Sequence, residues 1–181
     1  MSPTAADVLA YALARPATLG AGRLVCIDGP SGSGKTTLAA QVVSLGGARV
    51  VHLDDLYPGW EGLFDVADAV LDLLRPLARD RVGSYRRWDW TASRYAETRH
   101  VEPGPLLVLE GVGSGNRAWE RWITTLVWVE APAEARLARS IARDGEAARQ
   151  HLVAWAQDEA RLFAREGTRA RADLLLDTAE V

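Results

Sequence analysis

The stretch "GPSGSGKT", residues 29–36, fits the pattern G-x-x-x-x-G-K-[ST] and is the strongest indicator of fold in this sequence. The apolar run "RLVCIDG" (23–29) precedes it, and "KTTLAAQVVSLGG" (35–47) follows it with a helical composition and two closing glycines. The order predicts a strand, a glycine-rich loop and a helix. In such a loop the backbone turns its N–H groups around phosphate oxygens, and the helix N-terminus adds positive potential. The predicted nucleotide-binding residues are Gly29, Ser31, Gly32, Ser33, Gly34, Lys35, Thr36 and Thr37.

Lys35 is the only lysine among 21 Lys and Arg residues, which indicates that this position needs an ammonium group on a flexible stem. In this motif the lysine reaches the β- and γ-phosphates of a nucleotide, and the hydroxyl of Thr36 can ligate Mg²⁺. The alternative is a strand–helix turn that is rich in glycine and binds nothing. The flanking strand and helix favour a nucleotide site, with ATP and Mg²⁺ as the expected cofactors.

Apolar runs alternate with amphipathic segments along the rest of the chain. Further strands are predicted over residues 48–55, 105–113, 124–132 and 172–178, and helices over 2–16, 62–80, 132–145 and 146–167. The strands are nearly continuous apolar runs, which is typical of parallel sheets that helices cover on both faces. Residues 81–104, rich in Arg and aromatic side chains, are predicted to be irregular. The sequence therefore predicts an α/β fold of the P-loop NTPase type with a five-stranded parallel sheet.

Composition narrows the classes of function. Of the 181 residues, 48% are hydrophobic and 25% are charged, which predicts one globular domain over residues 1–181. The net charge of −3 gives no electrostatic reason to expect nucleic-acid binding. The single cysteine, Cys26, argues against a disulfide framework, and no segment resembles a signal peptide or a membrane span. We expect a cytoplasmic protein that binds neither membranes nor nucleic acids; its oligomeric state is not predicted.

Acidic residues lie at or near the carboxyl ends of two of the predicted strands. Asp54 and Asp55 end the strand 48–55, and Glu110 closes the run "LLVLE". Ligands of open parallel sheets bind beyond the carboxyl ends of the strands, so these side chains are expected beside the glycine-rich loop. There Asp54 and Glu110 can hold Mg²⁺, or Asp54 can accept a proton from an attacking hydroxyl, although a solvated strand end is the alternative for both. A cap or turn role is favoured for Asp55, and a packing role for His52.

Three arginines of the helix predicted over 132–145 share one face. Arg136, Arg139 and Arg143 are spaced i, i+3 and i+7. Guanidinium groups in this arrangement suit a triphosphate whose charge spreads during phosphoryl transfer. The alternative is a solvated basic face, and the spacing alone does not decide between the two.

Several motifs, in order, resemble the uridine kinase group of P-loop nucleoside and small-molecule kinases: "GPSGSGKTT", "DDLY", "LLVLEG", "RLARSIARDG" and "ADLLLD". The resemblance covers most of the chain from residue 23 onward. It implies that Asp54 is the catalytic base at the acceptor hydroxyl, that Tyr57 occupies the family's tyrosine position, and that Glu110 matches its acidic residue after the third strand. It also implies a lid over about residues 133–150, in which Arg139 and Arg143 lie over the phosphates.

The acceptor segment, about residues 56–100, departs from that family. "PGWEGLFD" (58–65) leads directly into a helix, without the family's His-Pro-Asp-type motif, and "YRRWDW" (85–90) matches the family's Tyr-Asp contact only loosely. Its tryptophans either bind the acceptor or anchor loops. The candidate acceptor contacts are Tyr57, Trp60, Trp88, Asp89, Trp90 and Glu110.

The expected reaction is transfer of the γ-phosphoryl group of ATP to a hydroxyl of a small molecule, with a uridine- or cytidine-like nucleoside favoured. One alternative is a kinase for another small acceptor, such as a sugar acid, a vitamin precursor or an antibiotic. The other is a regulatory nucleotide-binding NTPase that is not a kinase and signals through a partner.

Overall fold

Residues 2–178, which the computed structural model describes, form seven β-strands and six α-helices. The strands are β1 (Arg23–Asp28), β2 (Arg49–His52), β3 (Gly83–Asp89), β4 (Arg94–Val101), β5 (Leu106–Glu110), β6 (Thr125–Glu130) and β7 (Leu174–Asp177). The helices are α1 (Ala5–Leu13), α2 (Lys35–Gly46), α3 (Val66–Leu77), α4 (Ala133–Asp144), α5 (Arg149–Glu166) and α6 (Thr168–Arg171). None of these helices combines the length and the apolarity that crossing a membrane requires.

Five of the strands form one sheet in the order β2-β5-β1-β6-β7, and every neighbouring pair is parallel. This confirms the predicted α/β fold with a five-stranded parallel sheet. In the register of the sheet, Glu110 at the end of β5 pairs with Ile27 of β1 on one side and with His52 of β2 on the other. The residues that follow these three strands therefore meet at one edge of the sheet.

Helices cover both faces of the sheet, as the buried strands predict. On one face α1 and α2 contribute Val8, Ala12, Leu38 and Val42, and on the other α3 and α5 contribute Leu73, Leu74, Trp155 and Leu162. All of these side chains are buried. Fully burying a large apolar side chain contributes about 1.5–3 kcal/mol to the stability of the fold. The helices on both faces therefore stabilise the sheet, including the edge that carries the polar residues.

The prediction that residues 81–104 are irregular is wrong. They contain an antiparallel hairpin of β3 and β4, a two-stranded sheet separate from the main one. Only its base is packed: Tyr85 and Val101 are buried, whereas most of β4 is exposed. Arg and Glu side chains occupy positions that apolar residues would take in a half-buried strand, so the alternation that identifies strands is absent.

Two further boundaries differ from those predicted. β2 ends at His52, and Leu53–Asp55 form a 3₁₀ turn, so Asp54 and Asp55 follow the strand instead of ending it. The helix predicted over 62–80 begins at Val66, after a 3₁₀ turn over Gly62–Phe64, and contains Pro76 in its last turn.

Candidate active site

The glycine-rich loop joins β1 to α2 and contains glycines in conformations that other residues rarely adopt. The φ angles of Gly29 and Gly32 are 141° and 75°. A Cβ atom on Gly29 would collide with the carbonyl oxygen of Val129, and one on Gly32 with that of Arg136. Gly34, with a φ of 98°, directly precedes α2. The motif therefore has the strand–loop–helix context that a phosphate site requires.

A cleft with a volume of about 910 Å³ opens at this loop, between the hairpin, α4 and α5. It brings together most of the predicted site residues: Ser31, Gly32, Gly34, Lys35, Thr36, Thr37, Asp54, Tyr57, Trp60, Trp90, Glu110, Arg139 and Arg143. Gly29, Ser33, Trp88 and Asp89 are not among its lining residues. The structure thus places the candidate base, the lysine and the candidate metal ligands around one cavity.

Lys35 is the first residue of α2, and only 7% of its surface is exposed. Its Nζ donates a hydrogen bond to the carbonyl oxygen of Pro30 at 2.9 Å. Ser33 is buried behind the loop, and its hydroxyl meets no hydrogen-bond partner among residues 2–178. The ammonium group is therefore held across the loop, at the wall of the cleft.

Glu110 connects the glycine-rich loop with β2. Only 4% of its surface is exposed, and its carboxylate accepts a hydrogen bond from the Thr36 hydroxyl at 3.2 Å. Nδ1 of His52 lies 2.5 Å from Oε1 of Glu110. This hydrogen bond raises the pKa of His52, while partial burial opposes the shift. His52, interpreted from sequence as a packing residue, instead contacts a candidate metal ligand.

Asp54 and Asp55 are adjacent in sequence but have different surroundings. Oδ2 of Asp55 accepts hydrogen bonds from Nη1 of Arg99 at 2.8 Å and from the hydroxyl of Tyr85 at 3.3 Å. The carboxylate of Asp54 faces the cleft and accepts no hydrogen bond within residues 2–178. It is exposed to solvent in the cleft, where partial desolvation by the cleft walls and, after it, the charge of Glu110 raise the pKa of Asp54. Asp54 is thus the carboxylate that is free to react.

Aromatic side chains form the wall of the cleft opposite the loop. The Trp60 ring stacks on the His151 ring at 5.3 Å and meets Trp90 edge-on at the same centroid distance. Trp155 packs edge-on against both Trp60 and Tyr57. The Tyr57 hydroxyl, buried, donates a hydrogen bond to the carbonyl oxygen of Val112 at 2.7 Å. This wall offers apolar and π surfaces to a bound molecule.

Trp88 and Asp89, two of the predicted acceptor contacts, lie in the hairpin away from the cleft lining. The Trp88 ring packs edge-on against Tyr95. Oδ1 of Asp89 accepts hydrogen bonds from the N–H groups of Thr91 and Ala92, at 3.0 and 2.9 Å. In this arrangement Asp89 stabilises the hairpin turn, so the acceptor contacts predicted for these two residues have no geometric support.

The three arginines of α4 have different partners. Arg143 pairs with Asp144, and this hydrogen bond raises the pKa of Arg143. Arg139 donates hydrogen bonds to the carbonyl oxygens of Gly32 and Thr178, each at 3.3 Å. Arg136 lies outside the cleft lining. Only Arg139 and Arg143 therefore face the cavity in which a triphosphate would be bound.

Asp28 is a buried carboxylate at the end of β1 that the sequence analysis missed. It is fully buried and accepts hydrogen bonds from the N–H groups of Gly29, Gly113 and Gly115, at 2.7, 2.8 and 2.9 Å. Burial raises the pKa of Asp28 to about 6, although these three N–H donors and Lys35 oppose the shift. Asp28 thus ties the start of the glycine-rich loop to the loop that follows Glu110. The only sequence signal was an acidic residue directly before the motif.

The donor set near the loop suits Mg²⁺. No group of three or more His, Cys, Asp or Glu side chains within residues 2–178 is placed to hold a metal ion by itself. Mg²⁺ in phosphoryl-transfer sites is usually held by one or two protein oxygens together with phosphates and water. The Thr36 hydroxyl and the Glu110 carboxylate, 3.2 Å apart, are oxygen donors of this kind.

Solved structures share this architecture at low sequence identity. A possible uridine kinase from Bacillus stearothermophilus matches with a TM-score of 0.66 and 20% identity, over 95% of this chain and 98% of its own. A candidate fructose transport system kinase from Silicibacter sp. TM1040 matches with a TM-score of 0.64 and 24% identity, over 96% of this chain and 99% of its own. The fold is that of a P-loop kinase. No protein-family model and no curated protein matches the chain.

Proposed function

We propose that this chain is an ATP- and Mg²⁺-dependent kinase that transfers the γ-phosphoryl group to a hydroxyl of an uncharged small molecule. The observation that carries the proposal is the shared cleft. Asp54, whose carboxylate has no hydrogen-bond partner within residues 2–178, lines the same cavity as Lys35 and Thr36. A base and a phosphate-binding loop must face one cavity if a hydroxyl is to attack the γ-phosphorus.

Each side chain has a role in this proposal. Lys35 and the loop bind the phosphates, and Arg139 and Arg143 stabilise the charge that develops on the moving group. Thr36 and Glu110 would hold Mg²⁺, which when bound neutralises charge on the phosphate oxygens. Asp54 takes the proton from the acceptor hydroxyl while the oxygen of that hydroxyl forms a bond to the γ-phosphorus. The bond between the γ-phosphorus and the oxygen that bridges it to the β-phosphorus breaks, and ADP leaves. The raised pKa of Asp54 favours this step, since a stronger base accepts the proton more readily.

The charges around the acceptor end of the cleft favour an uncharged acceptor. Arg99 is paired with Asp55, and Arg143, which pairs with Asp144, is assigned to the transferring phosphoryl group, so neither cation is left for a carboxylate or phosphate on the acceptor. Asp54 adds an unpaired negative charge. A sugar acid or a phosphorylated acceptor would be repelled, which disfavours one of the alternatives considered from sequence.

The aromatic wall favours a nucleoside among uncharged acceptors. Stacking of a base on an aromatic side chain contributes about 1–3 kcal/mol. Trp60 and Trp90 are the partly exposed rings that line the cleft and can supply such a surface. A neutral sugar is the second candidate, since one structural neighbour is described as a candidate fructose transport system kinase and since sugar rings also pack on tryptophan.

The experiment is a panel assay of acceptor-dependent ADP formation from ATP and Mg²⁺. The panel pairs uncharged with charged acceptors: uridine with UMP, and fructose with gluconate. We expect turnover with an uncharged member of a pair and none with its charged counterpart, and no turnover with the Lys35→Ala variant. ADP formation that no acceptor stimulates, together with tight nucleotide binding, would reject the kinase in favour of a regulatory NTPase.

A further inference from the structure

A buried glutamate of α5 lies directly behind the glycine-rich loop. Only 2% of the surface of Glu159 is exposed, and its Oε1 accepts a hydrogen bond from the main-chain N–H of Ser31 at 2.8 Å. Burying a carboxylate is costly unless it is paired and hydrogen-bonded. A negative charge beside a loop that binds phosphates also works against their binding. The roles assigned above to the residues of the cleft do not explain why a carboxylate is buried at this position.

Arg136 completes a closed network around the main chain of Ser31. Its Nη1 donates a hydrogen bond to the carbonyl oxygen of Ser31 at 3.4 Å and lies 3.9 Å from Oε2 of Glu159. Ser31 is therefore held at its N–H by α5 and at its carbonyl by α4. The next residue packs against the same helix, because a Cβ atom on Gly32 would collide with the main chain of Arg136. Two consecutive helices, whose contact residues lie 105 and 128 positions after Ser31, thus hold one short stretch of the loop.

We infer that Glu159 is a positioning residue that fixes the conformation of the phosphate-binding loop and, through Arg136, couples that loop to α4. Glu159 does not line the cleft, so it acts through Ser31 and does not touch the nucleotide. The N–H of Ser31, which the motif alone assigns to phosphate binding, serves to anchor the loop. The inference rests on the proposed function only in that the loop binds a nucleotide.

The chain offers a matched control on the same helix. Glu166 is also buried, and its Oε2 accepts a hydrogen bond from the main-chain N–H of Arg117 at 3.0 Å, away from the loop. Amide hydrogen exchange at Ser31 and Arg117, followed by NMR, compares the two directly. We expect Glu159→Ala to speed amide exchange at Ser31 by about tenfold and to leave exchange at Arg117 unchanged. Glu166→Ala should speed exchange at Arg117 and leave exchange at Ser31 unchanged. Unchanged exchange at Ser31 in Glu159→Ala would overturn the inference.

Titration calorimetry with ADP then tests the consequence for binding. Glu159→Ala should raise the dissociation constant about tenfold, whereas Glu159→Gln, whose amide oxygen still accepts the Ser31 N–H, should stay within about threefold of the parent. The dissociation constant of ADP for Glu166→Ala should equal that of the parent. Parent affinity in Glu159→Ala, or a Gln variant as weak as the Ala variant, contradicts the positioning role and leaves Glu159 as a packing residue.

Two outcomes need separate treatment. If Glu159→Ala does not fold, Arg136→Gln replaces it: loss of the contact with the Ser31 carbonyl should raise the ADP dissociation constant several-fold, and an unchanged constant overturns the inference. If the parent itself does not bind ADP, the proposed function fails. The exchange comparison between Ser31 and Arg117 still decides whether Glu159 fixes the loop.

Discussion

The stability of this protein should depend on pH through Asp28, and the direction follows from its burial. The pKa of Asp28 rises from 3.8 to about 6 in the folded chain. The folded state therefore holds this proton more tightly than the unfolded state, and the stabilisation it brings is fully present below pH 3.8 and lost as the pH rises through about 6. The free energy of unfolding should fall with increasing pH in this window.

The expected size follows from the shift itself. About two pKa units at 1.36 kcal/mol each give about 3 kcal/mol, of which about 2 kcal/mol fall between pH 4.5 and pH 7. Carboxyl groups whose pKa is lowered, such as Glu97 with a pKa of about 2, have the opposite effect: they make the free energy of unfolding rise with pH, and they do so at lower pH. Asp54, whose pKa is also raised, adds to the slope in the same direction. Above pH 4.5 Asp28 and Asp54 therefore act with the same sign, and His52, whose pKa is also raised, adds to the fall at the upper end of the window.

Urea unfolding followed by tryptophan fluorescence, at steps from pH 4.5 to pH 7, measures this slope. Asp28→Asn cannot ionise and should lose about 2 kcal/mol of pH dependence in this range, although it also weakens the bond to Gly115, a cost that does not vary with pH. Asp68→Asn, an exposed change on α3, serves as the control and should keep the parent slope. A slope in Asp28→Asn equal to that of the parent would refute the reasoning.

The remaining predictions concern the proposed transfer reaction. Lys35→Ala removes the ammonium group from the phosphates and should sharply weaken ATP binding in calorimetry, with an unchanged circular dichroism spectrum. Asp54→Asn should cut kcat by about a hundredfold or more with ATP affinity largely kept, and Asp55→Asn should matter much less; the opposite order in steady-state kinetics means that the base was wrongly chosen. Replacing both Arg139 and Arg143 by Ala should lower kcat more than it raises the dissociation constant of ATP, and an unchanged kcat would assign both to a solvated face.

Those parts of the fold that follow from local pattern could be predicted from sequence. The strands of the main sheet are short apolar runs, and the motif "GPSGSGKT" identifies the loop between β1 and α2. The hairpin could not be recognised in the same way. Its outer half packs against little, so β4 from Arg94 to His100 shows no alternation of apolar and polar residues, and the pairing with β3 is a tertiary property.

Site residues could be predicted from sequence where they lie at the carboxyl ends of the parallel strands, because that position alone brings them to the cleft. Asp54 follows β2 and Glu110 ends β5, the neighbouring parallel strand, and both line the same cleft for that reason. The partners that give such residues their roles lie far away in sequence: Arg99 is 44 residues from Asp55, and Glu159 is 128 residues from Ser31. No local spacing encodes contacts of this range, because they arise only when helices and the hairpin pack onto the sheet.

The hairpin also explains why two carboxylates follow β2. Arg99 and Tyr85 hold Asp55, and Trp90 donates a hydrogen bond from Nε1 to the main-chain oxygen of Asp54 at 2.8 Å. One acidic residue thus binds the hairpin to the turn, while the main chain of the other is fixed and its carboxylate stays free. Because a cation already pairs with Asp55, its charge adds little to the electrostatics of Asp54, whose pKa responds to burial and then to Glu110. Adjacent acids with separate partners can therefore divide a structural and a chemical role between them.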